Sequence, residues 1–290
     1  MDWQISVLQF FSNMRSPLLN KLFEVITIST ESAVLLLVVA TVYWCINKKL
    51  GQKLGFTLLF SMVINGLIKN LIKAPRPFEL GVVEPLRQQT ATGHSFPSGH
   101  TQAATTFWLG WMTHIHKKWL YYTGIVIIAL VGLSRIYLGV HWPIDVIAAI
   151  GIGIICSLIG QGLFAKIEGS KTTLFLLGSC FVLWGTLFLN FDADYVKAIG
   201  GATGFVMGYL LESRYIGFST KGNFKIQVQK LAIGILGLGI IYGGLKLIFP
   251  TSLVFSFIRY GMTALWIVAG APYVFGRVFK MNKQSIKKVG

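Results

Sequence analysis

At 290 residues the chain is long enough for one or two soluble domains, yet 54% of it is hydrophobic and only 12% is charged. A soluble globular chain carries roughly a quarter charged residues, so most helices here have no aqueous face to cover, and the protein reads as integral to a membrane. The net charge of +16 is spread over short gaps between apolar runs, which argues against a nucleic-acid-binding face and for a topology signal.

Taken in chain order, the first segment is amphipathic: Trp3, Val7, Phe10, Phe11 and Met14 recur at helical spacing against Gln4, Ser6, Gln9 and Ser12. It is too short to span and lacks a basic leader region or a small-residue cleavage site, so residues 1–16 are expected to form an interfacial helix rather than a signal peptide. Ser16-Pro17 supplies an N-cap and first-turn pair that opens the first span. A span needs about 20 apolar residues. Such runs lie at 18–46, 54–72, 100–116, 119–138, 143–165, 172–190, 197–212, 230–248 and 252–276. The expected fold class is therefore all-α, a polytopic bundle of about nine transmembrane helices after the interfacial one. Residues 17–166 are expected to form a catalytic core and 167–290 additional transmembrane helices.

Sixteen of the 26 Lys and Arg fall in one alternating set of gaps, at Lys48, Lys49, Lys53, Lys117, Lys118, Lys166, Lys171, Arg214, Lys221, Lys225, Lys230, Arg277, Lys280, Lys283, Lys287 and Lys288. The positive-inside rule puts that side in the cytoplasm, with the amino terminus outside and the carboxyl terminus inside. The long polar gap 73–99, with Pro75, Pro77, Pro85 and Pro97, is then an outer loop. Cys45, Cys156 and Cys180 show no pairing or metal-ligand spacing and read as small apolar helix residues. Gly200, Gly204 and Gly208, and again Gly239 and Gly243, repeat every fourth residue. That spacing permits close helix approach in lipid; packing within one chain is the preferred reading, with a homodimer through these Gly-rich helices as the other.

Three segments carry polar residues that are costly at a membrane boundary, all on the outer side: Lys69-Asn-Leu-Ile-Lys-Ala-Pro-Arg76-Pro77, Ser95-Phe-Pro-Ser98-Gly99-His100-Thr101, and Ser134-Arg135-Ile-Tyr-Leu-Gly-Val-His141-Trp-Pro143-Ile-Asp145. Pro143 suits the first position of a helix, leaving His141 just before it and Asp145 in its first turn. Four residues apart, the carboxylate can take the proton of one imidazole nitrogen and leave the other free to attack. Ser98 is placed to cap the span that begins there, Gly99 allows a ligand near the backbone, and the helix start suits an anion. His100 stands there as a possible proton donor to a leaving oxygen. Lys69, Arg76 and Arg135 add fixed positive charge, the main resource for phosphoryl transfer when no metal takes part. On these residues alone the choice between His141 and His100 as nucleophile stays open.

In order and spacing, Lys-x6-Arg-Pro, Pro-Ser-Gly-His and Ser-Arg-x5-His-x3-Asp resemble the three signature motifs of the type-2 phosphatidic acid phosphatase superfamily, its membrane-bound branch of lipid phosphate phosphatases in particular. The resemblance covers roughly residues 54–165 and fills every signature position. It implies His141 as a nucleophile forming a phosphohistidine, Asp145 orienting it, and His100 protonating the leaving group. Lys69, Arg76, Ser98, Gly99 and Arg135 would bind the phosphoryl oxygens, with no metal and no cofactor. The implied substrate is a membrane lipid phosphate or diphosphate, hydrolysed on the outer face of the plasma membrane. A soluble sugar phosphate is the alternative, and Asp145 separates this chain from the glucose-6-phosphatase pattern. A transporter built on such a site is the reading from another class; it is disfavoured because the charges cluster at one surface and no inverted repeat is visible. His94 is expected to be a solvated loop residue. Glu24 and Glu31, seven apart on one helix face, are expected to line a cavity, pack or meet substrate; Arg259 is read as snorkelling outward or pairing with one of them.

Overall fold

The computed structural model describes residues 2–166, 179–180, 183–184, 186 and 192–279. Among these, every regular element is helical and no strand occurs. Helix α1 is Asp2–Asn13, α2 Pro17–Ile28, α3 Ser32–Thr41, α4 Lys48–Ile72, α5 Gly99–Ile115, α6 Lys118–Tyr137 and α7 Pro143–Lys166. Then come α8 at Ala193–Leu211, α9 at Phe224–Leu238, α10 at Leu253–Leu265 and α11 at Ala271–Val278. Helix α9 continues through a π-helical turn at Gly239–Gly243 into Gly244–Ile248, and a second such turn, Trp266–Gly270, joins α10 to α11.

Among the described residues, five helical runs are long and apolar enough to cross a membrane by length and composition: those containing α4, α6 and α7, together with Phe224–Ile248 and Leu253–Val278. A sixth arises if α2 and the run Ser32–Ile46, bent by 48° at their junction, form one span. Of the remaining expected spans, 100–116 and 197–212 are the helices α5 and α8, which are not in that set, and 172–190 falls largely outside the described residues. Lys171, Lys280, Lys283, Lys287 and Lys288 also fall outside them.

The chain forms two compact units, one of Met1–Leu36 with Phe60–Leu163 and the other of Leu37–Leu59 with Phe164–Gly290. In the first, Ser16 Oγ accepts the Leu19 amide at 3.4 Å and Pro17 opens α2, as that dipeptide requires. The expected continuous span 18–46 is instead broken after Ile28. Ser29 Oγ and Thr30 Oγ1 donate back to the carbonyls of Ile26 and Thr27, at 2.7 and 3.1 Å, and such side-chain competition bends or ends a helix. Helix α1 buries Leu8 against Ile136, Trp142 and Val146, while Trp3, Phe10 and Met14 stay exposed.

Helix α5 fails as a free-standing apolar helix because its inner face is polar and buried. Asn65 Nδ2 donates to Gln102 Oε1 at 2.8 Å, and Gln102 Nε2 donates to the Ser61 carbonyl at 2.8 Å. Ser61 Oγ meets Thr106 Oγ1 at 2.9 Å, and Thr113 Oγ1 donates to Gln161 Oε1 at 2.8 Å. Each of these polar groups thereby finds a partner inside the bundle. A Cβ on Gly153 of α7 would meet Thr105 Cβ at 2.7 Å, so this glycine lets α5 and α7 approach closely and brings their amino-terminal ends together.

In the second unit α8 and α10 cross at glycines: a Cβ on Gly200 or Gly204 would collide with the carbonyl oxygens of Phe257 and Gly261. A Cβ on Gly208 would meet Val268 Cβ at 2.8 Å, whereas Gly239 and Gly243 have nothing within 4 Å. The first stripe is thus used for packing inside one chain. Tyr43 Oη and Trp44 Nε1 donate at 2.8 Å to the carbonyls of Val268 and Ile267 within the π-helical turn, and Lys48 pairs with buried Glu212 at 2.5 Å. Arg259 is buried here rather than snorkelling. Cys45, Cys156 and Cys180 are free. Replacing Gly204 by Val is expected to lower stability in detergent by about 1–3 kcal/mol or more, as overpacking does, read as a fall in Tm; Gly243→Ala is expected to leave Tm unchanged.

Candidate active site

Four helix ends of the first unit converge: the carboxyl ends of α4 and α6 and the amino ends of α5 and α7. Helix α6 stops because Gly139 takes a left-handed conformation, φ +71°, with Leu138 and Gly139 amides returning to the carbonyls of Ser134 and Ile136. The chain then turns through Val140 to His141, and Pro143 starts α7. All eight residues singled out from the sequence, Lys69, Arg76, Ser98, Gly99, His100, Arg135, His141 and Asp145, lie at this end.

His141 is 2% exposed, and its Nδ1 lies 3.2 Å from Asp145 Oδ2. The same carboxylate oxygen accepts the Trp142 amide at 2.9 Å and Ser95 Oγ at 2.5 Å. Arg76 Nη1 is 3.3 Å from His141 Nε2. An arginine only donates, so the consistent tautomer carries its proton on Nδ1, toward Asp145, and holds a lone pair on Nε2. Burial first, then Arg76, Arg135, Lys69 and His100, push the His141 imidazole well below its ordinary pKa. It is therefore the neutral, nucleophilic form near pH 7.

The cations are held largely by main-chain oxygens. Arg76, 1% exposed, donates to the carbonyls of Gly93, Thr92, His94 and Val140 at 3.0, 2.8, 3.3 and 2.7 Å. Lys69 Nζ donates to the His94 carbonyl at 2.8 Å, so His94 serves the site through its backbone. Arg135 is fully buried; its Nη1 donates to Thr27 Oγ1 at 2.6 Å, and its Nε and Nη2 have no hydrogen-bond partner. His100 Nε2 is likewise buried and unpartnered. Two unmet guanidinium donors and an unpartnered imidazole nitrogen, beside the neutral His141 and two helix starts, suit a tetrahedral oxyanion.

Ser98 stands at the N-cap of α5, but its hydroxyl does not cap: Oγ meets Thr101 Oγ1 at 3.0 Å. Its amide instead donates to the Asp145 carbonyl at 3.2 Å. Thr101 has drawn the hydroxyl away from the first-turn amides. Gly99 lies beside Asn65, whose Oδ1 would be 3.5 Å from a Cβ there. Sequence reasoning missed Thr27, Ser95, Asn65 and Gln102. Only Ser95 lies inside a signature segment, and the others come from faces that read as ordinary helix. Glu24 and Glu31 both pair with Arg87 of the loop, Glu31 at 2.7 Å.

Two measurements test this site. Near pH 6, where an ordinary histidine of pKa about 6.5 is mostly charged, His141 is expected to give neutral imidazole 15N signals with the proton on Nδ1, identified by their loss in His141→Ala. The unfolded imidazole takes up its proton below about pH 6.5 and the folded one does not, so stability falls as pH drops through that range. Separately, inorganic phosphate is expected to raise Tm of the wild type and not of Arg135→Ala. Thr27→Val, which leaves a further guanidinium donor unmet, is expected to weaken that effect and lower the basal Tm, at about 1–3 kcal/mol.

Parts of the chain match known proteins. The family model of the PAP2 superfamily matches residues 51–167, and that of the PAP2 superfamily phosphatase transmembrane extension matches 196–284. The chain is 41% identical over 75 residues to an undecaprenyl-diphosphatase of Sulfolobus acidocaldarius, covering 25% of this chain and 35% of that protein. It is 36% identical over 85 residues to phosphatidylglycerophosphatase B of Bacillus subtilis, covering 26% and 41%. The chain thus spans well under half the length of either curated relative. Among solved structures, that of Aquifex aeolicus LpxE is similar at 28% identity and a TM-score of 0.48, covering 54% of this chain and 93% of that one. With both models matched and together reaching most of its described helices, the chain belongs to the PAP2 superfamily and is a multi-pass membrane protein.

Proposed function

We propose that the protein is a phosphatase hydrolysing a lipid phosphate or lipid diphosphate on the extracytoplasmic face of the plasma membrane, through a phosphohistidine. The observation that carries this reading is the pair of unpartnered, buried Arg135 donors with unpartnered His100 Nε2 beside a neutral His141 oriented by Asp145.

In this mechanism His141 Nε2 attacks phosphorus as the P–O bond to the leaving group breaks, and His100, an imidazolium once the anionic substrate is bound, gives its proton to the departing oxygen and becomes neutral. A water then attacks the phosphohistidine and His100 takes its proton, releasing phosphate and restoring the neutral His141. Lys69, Arg76 and Arg135, with Ser98 and Gly99 at the start of α5, hold the equatorial oxygens, whose charge grows in the transition state. These fixed cations supply the electrophilic help, so hydrolysis is expected to need no metal.

The Sulfolobus and Bacillus relatives are both named for lipid-linked phosphates, which supports the lipid class. The reading also takes residues 17–166 as the catalytic core and 167–290 as additional spans, nine in all, with the amino terminus outside. Support for that orientation comes from Lys48, Lys49 and Lys53 at the start of α4 and Lys117 and Lys118 at the start of α6, at the helix ends away from the site.

The test is phosphate release by purified protein in detergent with excess chelator, on an isoprenyl diphosphate, a phosphatidate, a sphingoid phosphate and a sugar phosphate. Turnover is expected on one or more of the lipids, falling at least about 10³-fold in His141→Ala, the scale of losing a nucleophile. A preference for the sugar phosphate would overturn the lipid class. No turnover by folded protein would turn the reading toward binding or transport.

A further inference from the structure

The geometry points to Ser95 as a positioning residue for the reaction, the third member of a Ser95–Asp145–His141 relay. Asp145 Oδ2 is asked to do three things at once: it accepts Ser95 Oγ at 2.5 Å, the Trp142 amide at 2.9 Å and the His141 Nδ1 side at 3.2 Å. The contact to the histidine is the longest of the three. The carboxylate is therefore placed by its other two partners, and the imidazole conforms to it.

Of those two, the Trp142 amide belongs to the same turn as Asp145 and moves with it. Ser95 is different: it arrives from the loop before α5, is 0% exposed, and is fixed by its own amide, which donates to the Ala74 carbonyl at 2.9 Å. It thus connects the segment ending at Arg76 to the carboxylate of α7. Three residues on, the Ser98 amide donates to the Asp145 carbonyl at 3.2 Å, so the 95–98 stretch grips Asp145 by side chain and main chain together. The direction of the Ser95 hydroxyl sets which lone pair of Oδ2 is left for Nδ1–H. Without it the carboxylate can rotate about its side-chain bonds, and the imidazole can take its proton on Nε2, the tautomer that cannot attack.

This inference rests on His141 being the nucleophile, and the experiment separates the two. Wild type, Ser95→Ala and Ser95→Cys are mixed in single-turnover amounts with the lipid phosphate the wild type turns over fastest. Phosphohistidine at His141 is followed by rapid quench and mass spectrometry, with inhibition by inorganic phosphate measured alongside. Ser95→Ala is expected to slow phosphohistidine formation by about ten- to a hundredfold, the scale for losing an orienting partner, with phosphate inhibition within about twofold of wild type. Its His141 15N spectrum is expected to show the Nε2-protonated tautomer that the wild type lacks. Ser95→Cys, of similar size with a weaker donor, is expected to fall between the two. If wild type forms phosphohistidine and Ser95→Ala forms it at the same rate, or loses rate and phosphate inhibition in equal measure, the positioning role is overturned. If the wild type itself forms none, the nucleophile assignment fails and the relay fails with it.

Discussion

A buried guanidinium has to be surrounded by oxygen, and the shape of this site depends on that requirement. Arg76 is 1% exposed and draws four main-chain carbonyls around itself. Three of these belong to the loop before α5 and the fourth to Val140, next to His141. Removing a cation from water without such partners costs several kcal/mol, so the loop cannot take many courses. Satisfying Arg76 places His94 and Ser95 on one side and His141 on the other.

The loop is tied at further points by the same logic. Arg15 reaches the carbonyls of Glu84 and Tyr137 at 2.8 and 3.0 Å, so the segment after α1 holds both the loop and the end of α6. Arg87 binds Glu24 and Glu31 on either side of the break after Ile28, and Thr27, in the last turn of α2, holds Arg135. These contacts hold the loop and the helix ends in place, while Arg135 Nε and Nη2 and His100 Nε2 stay unmet beside His141, as Arg15 Nε and Arg87 Nε do in the loop contacts themselves. An anion site works in this way: the protein meets each cation part-way, and substrate oxygens complete it at little reorganisation cost.

Under the site the bundle is polar where it is packed and apolar where it is exposed. Ile125, Val126 and Leu133 of α6 face outward, while the Thr and Gln side chains of α5 bond to α4 and α7. Each such bond contributes only about 0.5–1.5 kcal/mol net, but breaking one leaves a buried group unmet at greater cost. The ladder therefore acts on register more than on stability. A slip of α5 against α4 would strand Gln102, Ser61 and Asn65 together, and would carry Gly99 and His100 out of line with His141.

Much of this was readable from residue order. Apolar runs and scarce charge identify a membrane protein because lipid leaves a spanning helix no polar partners outside the chain. Ser16-Pro17 and Pro143 mark helix starts because their geometry is local. The spacing of Lys69, Arg76, Ser98, Gly99, His100, Arg135, His141 and Asp145 is legible because each chemical role needs a particular side chain at a helix end. The break in the first span was less visible, since Ser29 and Thr30 bend a helix only when their hydroxyls turn back on it. What tertiary structure alone decided were the pairings over long sequence distance: Thr27 with Arg135, Ser95 with Asp145, Arg87 with Glu24 and Glu31, and Gly200 and Gly204 against α10. A hydroxyl, a carboxylate or a glycine in an apolar run looks the same whether it faces lipid, a neighbouring helix or a cation, and only the packed bundle, by leaving one partner within reach, settles which it is.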